Sequence, residues 1–141
     1  MAMTTSEIGD ILYTFLTTLS VKDVERGWNL EDGEVGAERV TLSVKPVSYG
    51  RKWGKAYAEV NVCVPDLPDG DADLIRLSEL EAEYSAALGF KTGVEGGTPY
   101  RFRRESVGLM EDRQLRLHYA NIRVIFEFLN TLELWQDRYP Q

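Results

Sequence analysis

The feature that most limits what this chain can fold into is an unbroken alternation from Lys55 to Val64. Ala56, Ala58, Val60, Val62 and Val64 hold the even positions, while Tyr57, Glu59, Asn61 and Cys63 hold the odd ones. Successive side chains of a strand point to opposite faces, so the even set lies against a core and the odd set meets more polar surroundings. Such a strand needs a partner. Val40, Leu42 and Val44 alternate with Thr41, Ser43 and Lys45 shortly upstream and supply one, with Pro46 limiting the run. The stretch between them, Val47 to Gly54, is too long for a two-residue turn and reads as the extended tip of an antiparallel hairpin.

Two helical patterns flank this hairpin. In Ser6 to Leu19 the residues Ile8, Ile11, Leu12, Phe15 and Leu19 recur at helical spacing. Thr5 or Ser6 is placed to cap that helix, and Glu7 and Asp10 suit the positive end of its dipole. After the break Pro65-Asp66-Leu67-Pro68-Asp69-Gly70, Asp71 or Asp73 caps a second helix with Leu74, Leu77, Leu80, Tyr84, Ala87 and Leu88 along one stripe and Gly89 at its end. Val21 to Glu38, rich in glycine and acid, reads as irregular, with room for an edge strand around Trp28.

A loop containing Gly93, Gly96 and Gly97 leads to a third strand, Tyr100 to Ser106. The last strand runs from about Gln114 to Phe128. Its apolar set changes parity between Leu115, Leu117, Tyr119 and Ile122, Val124, Phe126, Phe128, which predicts a β-bulge near Ala120-Asn121. The tail, Leu129 to Gln141, packs onto the sheet or a neighbouring chain through Leu132, Leu134, Trp135 and Tyr139. The expected fold is a single α+β domain over 1–141 in α-β-β-α-β-β order, a mostly antiparallel sheet with two helices on one face.

Composition narrows the function classes. The single cysteine excludes an intrachain disulfide and a cysteine-ligated metal centre. No apolar run reaches the roughly 18 residues of a membrane span, and the N-terminus lacks a secretory pattern, so the expectation is a cytoplasmic protein that does not enter membranes. A formal charge of −7 opposes nucleic acid and anionic lipid unless basic residues are segregated.

The individual motifs carry little chemistry. Gly50-Arg51-Lys52-Trp53-Gly54-Lys55 fails as a phosphate loop, because three residues rather than four separate the glycines, Ala56 replaces the hydroxyl residue, and a strand follows instead of a helix. Its Tyr49, Arg51, Lys52 and Trp53 instead place aromatic and cationic groups at an exposed tip, the composition favoured at interfaces. Asp66, Asp69, Asp71 and Asp73 miss the calcium-loop pattern: counted from Asp69, its glycine and terminal acid positions hold Leu74 and Leu80. No metal or cofactor is expected. His118 reads as a solvent-facing strand histidine and Cys63 as a packed, inert thiol. Arg101, Arg103 and Arg104, interleaved with Tyr100 and Phe102, form the concentrated basic stretch, for which pairing with nearby acids is the simpler outcome than nucleic acid.

In element order and length the chain resembles phage and prophage morphogenesis proteins of the tail-terminator or tail-completion family, related to head-tail joining proteins. The resemblance is carried by Ile8-Gly9-Asp10-Ile11-Leu12-Tyr13, by Glu59-Val60-Asn61-Val62-Cys63-Val64-Pro65-Asp66, by Arg76-Leu77-Ser78-Glu79-Leu80-Glu81 and by the long closing strand. It implies a non-enzymatic subunit that forms a ring, a hexamer in this family, capping the tail tube and meeting the head connector. Nucleic acid would enter only as a channel passenger, and the setting would be the host cytoplasm and then the virion. The matching interface candidates are Tyr49, Arg51, Lys52, Trp53, Trp135 and Tyr139, to which the basic stretch adds Arg101 and Arg103. The competing expectation is a small enzyme or ligand-binding domain with a pocket between helix and sheet, using His118 with Glu59 or Glu127 and Cys63.

Overall fold

The first helix begins one residue earlier than its periodicity implies, because Thr4 rather than Thr5 or Ser6 caps it. The Thr4 hydroxyl accepts from the Glu7 amide at 3.1 Å, and the Glu7 carboxylate accepts from the Thr4 amide at 3.2 Å. This reciprocal capping box satisfies two amide donors of the opening turn. The computed structural model describes residues 3–27 and 37–130 of the chain, and the expectations for Trp28, Trp135 and Tyr139 lie outside the described residues.

Helix α1 (Thr5–Leu16) is followed by strands β1 (Val24–Arg26), β2 (Arg39–Val44), β3 (Ser48–Tyr49) and β4 (Trp53–Pro65). Helix α2 (Leu74–Ala87) precedes β5 (Phe90–Glu95), β6 (Thr98–Asp112) and β7 (Leu117–Leu129). The chain is thus mixed α and β, with a mostly antiparallel sheet ordered β1-β2-β4-β7-β6-β5 and β3 pairing with β4. Only β1 and β2 run parallel among the described strands.

This order has three strands more than the sequence implies. β1 falls inside a segment read as irregular, where three residues are too few for an alternation to show. β3 is a two-residue pairing within the hairpin tip. β5 occupies what reads as a glycine-rich loop: Gly96 and Gly97, with φ of 55° and 83°, form the turn of a β5–β6 hairpin. Positive φ at both central positions matches the right-handed twist of the flanking strands, and glycine adopts it without strain. Gly93 lies beneath the Tyr100 ring.

The main core confirms the even-numbered face of β4. Ala56, Ala58, Val60, Val62 and Val64 are buried with Ile122, Val124, Phe126 and Phe128 of β7, Ile8, Leu12 and Leu16 of α1, and Leu77, Leu80 and Tyr84 of α2. The Phe102 and Phe126 rings stack at 6.1 Å, and Phe15 meets Phe102 edge-on at 5.4 Å. Phe128 lies so close to Gly54 that an added Cβ would sit 2.0 Å from its ring.

The predicted bulge at Ala120-Asn121 is absent. β7 pairs with β4 without a shift from Trp53↔Leu129 to Pro65↔Leu117. The parity change has another cause: Leu115 and Leu117 pack with Cys63 and Tyr119 in a second cluster, separate from the main core. The register shift lies in β6, between Arg104 and Ser106. On the odd-numbered face the Asn121 amide donates to the Asn61 oxygen at 2.7 Å, and the Asn61 amide donates to Thr41 Oγ1 at 3.1 Å. That row satisfies polar groups across three strands.

Side chains also fasten the helices. Asp73, one of the two anticipated caps, accepts from the Arg76 amide at 3.2 Å. Arg76 grips Glu38 through two bonds of 2.6 and 2.9 Å, a bidentate pair that holds its guanidinium firmly protonated. At the other end of α2, Arg104 donates to the Ser85 carbonyl at 2.5 Å, placing a cation where the helix dipole is negative. The Val21 amide donates to the buried Tyr84 hydroxyl, joining the chain after α1 to α2.

Candidate interaction surface

The hairpin tip and the basic stretch, fifty residues apart in sequence, meet at one end of the sheet. Tyr49 and Trp53 are held in place by their surroundings. The Tyr49 hydroxyl donates to the Met3 carbonyl at 2.9 Å, and its ring meets Phe128 edge-on at 6.1 Å. The tip itself closes where the Gly50 amide donates to the Trp53 carbonyl, and Asn130 fastens it through bonds to the Lys52 and Gly50 carbonyls. Arg51 and Lys52 project outward from this turn and are exposed.

Arg101 forms the junction. Its guanidinium lies 4.5 Å from the Trp53 ring centroid and its Nε is 3.3 Å from a Glu127 carboxylate oxygen. The strand register explains the meeting: Arg101 is opposite Glu127 on β7, and Glu127 is opposite Lys55, two residues after Trp53. Arg103 stands next along the same face, opposite Phe90 and Ile125, and is exposed. Trp53, Phe90, Thr92, Val94 and Arg101 border a shallow groove of about 330 Å³. Phe90 is 63% and Val94 66% exposed, a high fraction for apolar residues that share one strand. An exposed apolar cluster around a partly neutralised arginine is chemically suited to burial against another protein.

His118, expected to face solvent, is half-buried instead. Its Nδ1 lies 2.6 Å from Asp66 Oδ1 and its Nε2 3.5 Å from Glu111 Oε2. Pairing of Val64 with His118 carries the chain after β4 to this ring, which is how Asp66 reaches it. The nearby cleft, about 750 Å³, is bordered by Pro65 to Gly70 together with Glu111, Arg113 and Arg116. Sequence separation concealed this cluster; the signal that could have found it was the β4–β7 register.

The grouping expected for an enzyme does not form. Glu59 is opposite Arg123 and Glu127 pairs with Arg101, so neither carboxylate belongs to the His118 cluster. Cys63 is buried, and desolvation, assisted by Asp112, pushes its thiol from 9.0 up to about 12. It is a protonated packing group at neutral pH. No cluster of three His, Cys, Asp or Glu side chains among the described residues could hold a metal ion, and no described helix is long and apolar enough to cross a membrane.

Comparison with known proteins adds fold information. No family model and no curated protein matches the chain. A solved structure whose printed name states no activity is similar at a TM-score of 0.53 and 14% identity, covering 87% of this chain and 91% of the other. At that identity the likeness concerns the fold alone.

Proposed function

We propose that this chain is a non-enzymatic structural subunit of a phage or prophage particle, a tail-terminator or head-tail joining component that closes into a ring with copies of itself. The supporting observation is the groove in which Trp53, Phe90 and Val94 stand exposed around Arg101. Ring closure needs contact between unlike surfaces of successive subunits, and such a groove can receive a different patch of the next copy. Within this reading both helices cover one face of the sheet and leave the opposite face and its edges for neighbours. The tail-tube and head-connector proteins are the further partners, met in the host cytoplasm during assembly and retained in the virion.

Light scattering at micromolar concentration tests the reading. The expected result is a discrete particle whose mass is a multiple, above two, of the 16.0 kDa chain. Arg101→Glu, which places like charge beside Glu127, should return it to smaller species. A 16.0 kDa particle at every concentration would overturn the proposal.

A second reading, a ligand-binding domain, is favoured by one observation: Asp66 and Glu111 both contact His118 and both border the larger cleft. It predicts that small polar ligands perturb the amide resonances of Asp66, Leu67, Asp69 and Gly70 together with those of residues 111–116. Perturbations scattered over the surface would remove it.

A further inference from the structure

β6 is longer than the strand beside it. β5 pairs with Thr98 to Arg103 only, so from Arg104 to Asp112 β6 is bonded to β7 on one side and has no strand on the other among the described residues. Soluble proteins protect such edges with proline, charged side chains, β-bulges or short length, because unpaired backbone groups are a template for another strand. Here the bulge and the charges, Arg104, Glu105, Glu111 and Asp112, lie at the two ends, and the middle from Ser106 to Met110 has no proline, no charge and no bulge and exposes Leu109 and Met110 to about half of their surface, 51% and 50%.

The order of side chains along that edge specifies an occupant. Register with β7 fixes their faces: Arg104, Val107, Leu109 and Glu111 lie opposite Val124, Ile122, Ala120 and His118, while Ser106, Gly108 and Met110 lie opposite the alternate set. A two-fold axis at Gly108 running two such edges antiparallel would set Val107 against Leu109 on one face and Ser106 against Met110 on the other. Glu105 is the residue left out by the register shift. Skipping it in both copies brings Arg104 of each, which gives Nη1 to Ser85 within its own chain, opposite Glu111 of the other, whose carboxylate also meets Arg113 and His118, on the same face, whereas an unbulged strand would set Arg104 against Asp112. Parallel pairing in register would place Arg104 on Arg104 and Glu111 on Glu111, and like charges directly opposite are destabilising.

We infer that β6 of one copy pairs antiparallel with β6 of a second copy about a two-fold axis at Gly108, closed at both ends by Arg104 with Glu111. This contact joins like edges and goes beyond the ring, which joins unlike surfaces. Other occupants, a different strand of this chain or an unrelated protein, are outcomes that the test separates.

Gly108→Cys is the direct probe. A Cβ at Gly108 meets nothing within 4 Å, and the natural Cys63 is buried and protonated, so it gives little background. Directly opposed antiparallel residues lie about 4.5–5.5 Å apart, within the Cα range a disulfide spans. Mild oxidation with glutathione disulfide at micromolar protein should give a covalent dimer at least tenfold faster than in Ser78→Cys, an exposed control on α2. Arg104→Glu should slow that cross-link at least tenfold when combined with Gly108→Cys, and adding Glu111→Arg should restore it. A Gly108→Cys cross-link no faster than the control, or one unchanged by Arg104→Glu, overturns the inference. Failure here with a ring-sized mass leaves the ring reading standing. A cross-linked particle that stops at twice the chain mass supports this contact and overturns the ring.

Discussion

The central pair β4–β7 and the outlying strand β6 belong to one sheet, but their surroundings differ. β4 and β7 are matched over thirteen residue pairs, and their even-numbered side chains from Ala56 to Val64 and from Ala120 to Phe128 are buried in one core with residues of both helices. Among the described residues β6 keeps one neighbour beyond Arg103 and holds Leu109 and Met110 half in solvent. The first region is completed by this chain; the second is, on the inference above, completed by a second copy. Folding stability should therefore reside at β4–β7, and association at β6 and the adjoining groove.

Variants can break that division, beginning with the largest effect. Phe126→Ala removes a fully buried ring that stacks on Phe102 and on Tyr100, and should cost about 3–5 kcal/mol in urea unfolding. A cost as small as that of a surface substitution would mean that β7 is not the core strand. Gly54→Ala should cost about 1–3 kcal/mol, because the new methyl collides with the Phe128 ring, itself enclosed in the core.

Over a single pH unit the pH dependence of Cys63 gives a smaller effect with a definite sign. Its pKa is raised in the fold, so the unfolded chain loses the thiol proton first. The associated stability is complete below pH 9.0 and is lost as pH climbs toward about 12, at roughly 1.4 kcal/mol per pH unit. Cys63→Ala should flatten the urea midpoint above pH 9.0 relative to the parent chain; an identical slope in both would contradict the burial. Smallest of all, the double substitution Leu109→Lys with Met110→Lys should change monomer stability by no more than about 0.5 kcal/mol while abolishing association through β6. Equal loss of stability and association would erase the distinction between the two regions.

Much of the stable region was legible in the sequence. The alternation of β4 and β2, the stripe of α1, the Leu77, Leu80, Tyr84 and Leu88 part of the stripe of α2, from which Leu74 departs at 65% exposure, and the capping Asp73 follow from local periodicity and hydrogen-bonding chemistry. The misreadings arise where a residue answers to a neighbour far along the chain. Leu117 and Tyr119 look out of phase with Ile122 only if one core is assumed, whereas they pack with Cys63 in another. His118 looks solvated until the β4–β7 register brings Asp66 to it. β5 hides behind three glycines, of which two make its turn and the third lies under Tyr100. Of the interface candidates, Trp53 and Arg101 do come together, although neither position announces the other in the sequence.

Hydrogen exchange of the β6 amides between Arg104 and Asp112, followed against protein concentration, tests most directly whether that edge is finished by another chain. Those amides that point away from β7 should exchange slowly at tens of micromolar and quickly on dilution, while β4 and β7 stay protected throughout. Fast exchange at every concentration would contradict the account.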